Sequence, residues 1–289
     1  MRRVSRIVTE ARKRLRNAFR QVIHRKKLAK RHCGIYNYFN MANIAVVIPV
    51  INLFSEYTKQ CLDSIKSKHE INIIFIDNNS TDNTTTECLK LQSNHFLYQR
   101  NEESWSCAKS WNWGVIKAFE RGADYVLIIN NDIVLHPDCI DRLVERFERH
   151  EEGVVMVTAM DRRGENPNVK DFIALKSADF EKVPEAEHPH YSCFMIGKEY
   201  WDKIGMFDEE FVPCYFEDNS SHYKIKLTGL KAIVYPPALF YHYGSRTWNE
   251  GVTHSTSERN LKFERNRDVY VKMWGGTPGN ETFKTRFNK

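Results

Sequence analysis

The segment YVLIINNDIVLHPD, residues 125–138, changes character twice. Tyr125 to Ile129 are apolar or aromatic. Asn130, Asn131 and Asp132 interrupt them, and Ile133, Val134 and Leu135 restore the apolar pattern. A short continuous apolar run predicts a strand covered on both faces. Such a strand ends here in two amides and a carboxylate, so polar groups stand at its carboxyl end. The same design recurs upstream. IAVVIPV (44–50) predicts a buried strand, YTKQCLDSIKS (57–67) a helix, and INIIFIDNNSTDNT (71–84) a second buried strand running into polar turn residues. SWSCAKSWNWGVIKAFERG (104–122) predicts a helix that stops at Gly122. Alternating buried strands and helices predict an α/β fold with a central, mostly parallel sheet. Ligands of such sheets bind beyond the carboxyl ends of the strands, where Asp77 and Asp132 fall. The second half alternates less clearly, with aromatic-rich loops and YHYGSRTWNEG (241–251).

With 289 residues, 42% hydrophobic and 12% aromatic, the chain can bury a core of one large domain or two small ones. No apolar run approaches the roughly 20 residues of a membrane span. The longest, Ile44 to Phe54, is broken by Pro49 and Asn52. Seven cysteines, an odd number without a C-x-x-C pair, argue against a disulfide framework and a zinc ribbon. They fit a reducing, cytoplasmic setting. The net charge of +6 is uneven. Residues 1–32 hold 13 Lys/Arg and one acid, Glu10, for a formal +12, and the remainder stands at −6. In that segment Val4, Ile7, Val8, Ala11, Leu15, Phe19, Val22 and Ile23 recur at helical spacing, giving one apolar stripe on a cationic helix. A targeting peptide, a helix on an anionic membrane surface, a nucleic-acid contact and a helix docked on its own domain all fit that pattern.

Several segments, taken in order, resemble the inverting family-2-type glycosyltransferases with the GT-A fold. The resemblance spans about residues 43–275. VVIPVINL looks like the opening strand and nucleotide loop, which implies donor contacts at Pro49 and Val50. FIDNNSTDNT looks like the second strand, whose aspartate contacts the base, here Asp77. NEESWSCAKSWNWG (101–114) resembles the N-x-x-N-x-G-x-A-x-A-x-N-x-G helix through Asn101, Ala108, Asn112 and Gly114, with Ser104, Ser106 and Ser110 departing from it. INNDI resembles the D-x-D segment in its N-N-D form. This leaves Asp132 as the metal ligand, with Asn130 and Asn131 beside the donor. IGMFDEEFVPCYFEDNSSHYKIKLTGLKAIVYPPALFYHYGS (204–245) resembles the G-x-F-D-E-x-F…E-D-x-D…R…G…P…H stretch. Ser220 replaces its second aspartate and Lys224 its arginine. KMWGG (272–276) resembles the closing K-x-W-G.

Charge and spacing set residues 1–40 apart as a basic amphipathic helical extension, and the resemblance implies 41–289 as the GT-A domain: a nucleotide-binding half (41–150), an acceptor-side half (151–250) and a tail (251–289). It implies a nucleotide diphosphate-sugar donor, a UDP-sugar foremost, and a Mn²⁺ or Mg²⁺ ion held by Asp132 and His242. Hard cations of this kind take oxygen-rich sites with few protein ligands. Arg246 is close enough in sequence to meet the phosphates, its plainer reading being a surface salt bridge. Displacement at an anomeric carbon with inversion needs one base on the acceptor side. Asp218 is that base by resemblance, with Glu217 as its orienting neighbour. The hydroxyl acceptor stays open among glycan, lipid-linked sugar, protein and a hydroxymethylated base flipped out of DNA. Trp105, Trp111, Trp113, Trp201, Tyr215, Phe216, Tyr241, Tyr243 and Trp248 are stacking candidates or core residues. A binding protein that has lost catalysis is the competing class. Asn130 and Ser220 fit decay, whereas Asp132, Asp218 and His242 argue against it. A nucleotidyltransferase wants a glycine-rich loop after the first strand, and IPVINLFSEY (48–57) has no glycine.

Overall fold

The computed structural model describes residues 41–165, 168–246, 250 and 255–289. The expected amphipathic helix of residues 1–40, and Trp248, lie outside the described residues. Eight strands form one sheet: β1 (Asn43–Val50), β2 (Glu70–Asp77), β3 (Phe96–Arg100), β4 (Tyr125–Ile129), β5 (Ile133–Leu135), β6 (Val154–Asp161), β7 (Cys193–Gly197) and β8 (Lys231–His242), in the order β3-β2-β1-β4-β7-β6-β8-β5. The helices are α1 (Lys59–Ser64), α2 (Thr84–Leu91), α3 (Cys107–Glu120), α4 (Cys139–Glu148), α5 (Val169–Ile173), α6 (Lys198–Lys203), α7 (Glu217–Leu227) and α8 (Thr256–Trp274).

β1 to β4 are mutually parallel, as their double-sided apolar runs predict. β1 shows why such a run is needed. Its alternate side chains point to opposite faces. Ile44, Val46 and Ile48 join a core completed by Ile140, Leu143 and Val144 of α4, and Ala45 and Val47 join one completed by Ala108, Trp111, Val115 and Ala118 of α3. Ala42–Lys289 forms one compact unit.

Two expectations change. The helix expected over 57–67 is a π turn, Phe54–Thr58, followed by α1, and Ile65 is already extended. Ser64 helps close it: its hydroxyl donates to Cys61 O at 2.6 Å and accepts from Leu135 N of β5 at 3.0 Å. The sheet is mostly parallel as expected, with β7 antiparallel to β4 and β6 and β5 antiparallel to β8. The second half is regular after all. β8 is a twelve-residue strand through Pro236-Pro237, a pair that reads as a strand breaker. It survives because its register against β6 shifts between Thr158↔Val234 and Met160↔Leu239, so the prolines fall in the irregularity. α8 escaped notice because it buries only Asn266, Tyr270, Met273 and Trp274 of its nineteen residues. Those at its carboxyl end join Phe211, Phe216 and Tyr223 in a separate aromatic core.

Gly114 sets how close α3 comes to the sheet. A Cβ built there meets both Val47 methyls and, at 3.3 Å, Ile76 Cδ1. Gly114→Ala therefore overpacks the centre of the parallel half and should cost about 1–3 kcal/mol. Urea unfolding should show a lower midpoint at unchanged slope, and an unchanged midpoint would refute this packing.

Candidate functional site

The site begins with a register. β5 and β8 are antiparallel with Ile133 opposite His242, so Asp132, just before β5, lies beside a histidine 110 positions away. His242 Nε2 stands 3.2 Å from Asp132 Oδ1. Asp132 Oδ2 accepts from Arg246 N at 2.8 Å, and Asp132 O accepts from Tyr243 N at 2.9 Å. Asp132 is only 3% exposed. Burial alone would raise its pKa, but the hydrogen bond and charge of His242 and the Arg246 amide prevail, so the carboxyl is held below its usual value. No group of three or more His, Cys, Asp or Glu among the described residues could hold a metal. The Asp132–His242 pair does not suit a closed zinc site. It fits Mg²⁺ or Mn²⁺, which complete their shells with water and substrate phosphate.

The neighbours divide into anchors and open groups. Asn131 is buried, and its amide donates to Thr58 Oγ1 at 2.9 Å, which fixes the π turn against the strand end. Asn130 is half-buried, and its backbone N donates to Ser192 O at 3.0 Å. Arg246 passes over the Tyr57 ring, 5.9 Å from its centroid, and pairs with Glu250 at 2.6 Å. Tyr57 Oη donates to the other Glu250 oxygen at 2.9 Å. Tyr57 and Tyr243 are packed at 5.0 Å between centroids.

Past β1 and β2 the chain knits two loops together. Asn52 and Leu53 take left-handed φ values of 57° and 63°. Asn52 Oδ1 accepts from Thr81 N at 2.7 Å, Asn52 N donates to Ser80 Oγ at 2.8 Å, and Leu53 N donates to Asp82 Oδ2 at 2.7 Å. Pro49 is half-buried; Val50 is buried and accepts from Asn78 N at 2.7 Å through its carbonyl. Asp77 stands at the predicted strand end but is wholly buried. Its carboxylate accepts from Ser80 N, Thr85 Oγ1, Tyr98 Oη and Arg100 Nη1 at 2.7–2.9 Å. Three of these bonds fall on Oδ2 and one on Oδ1.

Two residues of the helix motif engage their side-chain amides inside the fold. Asn101 donates to Asn78 Oδ1 at 2.8 Å. Asn112 donates to Phe207 O at 2.9 Å and accepts from Phe207 N at 2.8 Å, so it clamps the Gly205–Asp208 turn onto α3. Both are buried, and their amides satisfy neighbouring polar groups.

Glu217 and Asp218 are the first two residues of α7. Tyr215 and Phe216 precede them at φ 80° and 77°. Glu217 is 5% exposed and its Oε2 has no hydrogen-bond partner. Burial, then the neighbouring Cys107 and Asp218, push its pKa well above the carboxylate range. Burial also raises Asp218, while the amides of Asn219, Asp218 and Phe216 pull it back. Asp218 Oδ1 accepts from Asn219 N at 2.7 Å. The result is a pair in which Glu217 keeps its proton more firmly. Cys107 N donates to Pro213 O at 2.9 Å, which ties the start of α3 to the approach to α7. From the other side, Tyr191 Oη donates to Ser221 Oγ of α7 at 3.1 Å, next to the Ser192 that holds Asn130.

The departures Ser220 and Lys224 have buried structural roles. Ser220 Oγ donates to Asp208 Oδ2 at 2.6 Å and accepts from Trp274 Nε1 at 2.8 Å. Lys224 Nζ lies 3.2 Å from the same Asp208 oxygen. Sequence segments thus meet around Asp208: its own turn, α7 and, through Ser220, the end of α8. Arg100, Tyr57 and Glu250 were not predicted, since nothing in their local spacing marks them; only the β2–β3 register and the packing of Tyr57 expose them. Of the predicted aromatics, Trp111, Phe216 and Tyr241 are buried, whereas Trp105, Trp113, Trp201, Tyr215 and Tyr243 are half-buried.

The profile of Glycosyl transferase family 2 matches residues 45–205. No curated protein matches the chain in sequence. Among solved structures it is similar to the mannosyltransferase PcManGT from Pyrobaculum calidifontis in complex with GDP-Man and Mn2+, with a TM-score of 0.54, 17% identity, and coverage of 81% of this chain and 69% of that one. It is similar to GalNAc-T7 with UDP, GalNAc and Mn2+ at a TM-score of 0.57 and 16% identity, where 81% of this chain spans 48% of that chain. S. aureus TarS 1–349 matches at a TM-score of 0.53 and 14% identity, with coverage of 78% and 70%. These likenesses concern the fold, which is GT-A. With the family profile covering more than half of its residues, the chain belongs to glycosyl transferase family 2 and is a glycosyltransferase.

Proposed function

We propose that this glycosyltransferase moves a sugar, with inversion and with a divalent cation, from a nucleotide diphosphate-sugar to a hydroxyl acceptor. The observation that carries the reading is the Asp132–His242 pair, closed by the β5–β8 register at 3.2 Å. Asp132 and His242 would hold Mn²⁺ or Mg²⁺, which when bound neutralises the leaving diphosphate. Pro49, Val50, Asp77 and the laced 52–53 and 78–82 loops take the nucleoside end, Asn130 lies towards the ribose, and Arg246 meets the phosphates. UDP- and GDP-sugars are the donors to try first.

Asp218 takes the proton from the acceptor hydroxyl as the acceptor oxygen bonds to the anomeric carbon and the bond to the diphosphate oxygen breaks. Its burial raises the pKa of the carboxyl and makes the ionised form a stronger base. Glu217, which holds its proton, acts as a neutral hydrogen-bond donor beside it. The basic residues 1–32 add affinity for a polyanionic surface, an anionic membrane or a nucleic acid. Among the described residues no helix is long and apolar enough to cross a membrane.

Asp132→Ala should lose cation-dependent nucleotide-sugar affinity and turnover; full activity of this variant in excess chelator would contradict the reading. Asp218→Asn should bind donor normally and transfer roughly 10²–10⁴-fold more slowly. Wild-type transfer by Asp218→Asn would move the base to Glu217, and a wild-type protein that binds donor without any transfer or hydrolysis would favour the binding-only class.

Glu217 also predicts a pH effect. Its folded pKa lies above its unfolded value near ~4.3. The folded state therefore retains a proton that the unfolded chain releases, and stability falls as pH rises above that value. Glu217→Gln removes this loss, so its melting temperature should gain on wild type as pH rises over the range between the unfolded and the folded pKa. A constant difference over that range would contradict it.

Deleting residues 1–40 should flatten the salt dependence of binding to anionic vesicles or DNA and leave donor hydrolysis intact. Equal binding by the truncated protein would mean that this segment contributes nothing to polyanion affinity.

A further inference from the structure

A third arginine stands near the Asp132–His242 pair. The last residue of β6, Asp161, is paired with Phe240 of β8, and Arg162 N donates to Phe240 O at 2.9 Å. Arg163 follows and opens a short 3-10 turn, its backbone N donating to Asp161 Oδ1 at 3.0 Å. Its guanidinium lies against the backbone of Gly244. A Cβ built on Gly244 would collide with Arg163 Nη1 and stand 3.1 Å from its Cζ. Gly244 has φ +87°, a conformation that favours glycine. It is two residues from His242 and two from Arg246, so the bare backbone there admits the guanidinium to the edge of the predicted phosphate site.

The two neighbouring arginines each have a partner in the fold. Arg246 is paired with Glu250. Arg162 lies over the Phe180 ring at 4.6 Å. No carboxylate among the described residues pairs with the Arg163 side chain. His190 packs near Phe240, 6.5 Å between ring centroids. Burial lowers its pKa, Asp161 pulls it up and His242 pushes it down, so Asp161 and His242 act on one imidazole.

We propose that Arg163 binds the diphosphate of the donor, from the β6 side, and that Gly244 is glycine to let it. The inference rests on the donor reading above. Asp132 already offsets part of the charge of a divalent cation, so a leaving diphosphate needs a further positive group. A planar guanidinium suits that task, because it meets phosphate oxygens through two parallel N–H groups. The bland alternative is a solvated surface arginine that happens to rest on Gly244.

The test is calorimetric binding of UDP and GDP in Mn²⁺, with uridine and guanosine as controls. The proteins are the wild-type full chain, Arg163→Met, Arg163→Lys, Gly244→Ala and the Arg163→Met/Gly244→Ala double variant. Arg163→Met should weaken whichever nucleoside diphosphate the wild type binds by roughly ten- to a hundredfold, the loss of one charge-assisted contact. Affinity for the free nucleoside should not change, and Arg163→Lys should fall between. Gly244→Ala should reproduce the loss with Arg163 present, because it displaces the guanidinium, and the double variant should be little worse than either single one. Wild-type diphosphate affinity in Arg163→Met would overturn the proposal and leave the donor reading standing. Equal losses for nucleoside and diphosphate would also overturn it, by showing a general structural defect. A wild-type protein that binds neither diphosphate would overturn the donor reading and this inference with it.

Discussion

The site depends on the antiparallel pairing of β5 with β8. Three residues of β5 fix Ile133 opposite His242, and this alone brings a carboxylate and an imidazole 110 positions apart within 3.2 Å. A slip of one residue would turn His242 to the other side of the sheet. Much of the local structure opposes such a slip. Tyr243 N is bonded to Asp132 O, Arg246 N to Asp132 Oδ2, and Leu135 N to Ser64 of α1. Asn131 anchors the same turn to Thr58. The polar strand end is thus held from both sides while Asp132 remains a buried, ionised carboxylate.

The acceptor end uses burial in the opposite sense. At Asp132 favourable partners outweigh desolvation and keep the group charged. At Glu217 desolvation and nearby like charge prevail and raise its pKa. Two adjacent carboxyls, Glu217 and Asp218, are therefore set apart by environment and not by sequence. Their position is maintained by long-range clamps: Cys107 on Pro213, Asn112 on Phe207, Tyr191 on Ser221, and Asn266 on Cys214. Ser220 ties α7 to Asp208 and to Trp274 at the end of α8.

Much of this was legible in the chain itself. The continuous apolar runs of β1, β2 and β4 gave the parallel half, since only strands covered on both faces need them. Asp132 and His242 were readable as a pair only through family motifs, because no local pattern links positions that the register alone unites. Asn101 and Asn112 stood out as motif positions, and the fold shows their amides bonded to Asn78 and Phe207. Ser220 and Lys224 looked like losses, but each has a buried partner in Asp208. β8 and α8 were hidden for separate reasons: two prolines sit in a register shift, and a long helix buries little beyond its last turns. Motif spacing shows which side chains a fold family carries, whereas their partners depend on tertiary contacts.

The central claim is that Asp132 and His242 share a divalent cation with the donor diphosphate. Pulsed electron paramagnetic resonance of Mn²⁺ in the full chain with a nucleoside diphosphate tests it most directly. The account predicts coupling of the Mn²⁺ electron spin to a histidine nitrogen as well as to phosphate phosphorus, with the nitrogen coupling lost in His242→Gln. Mn²⁺ coupled to phosphorus alone in the wild-type protein would contradict it.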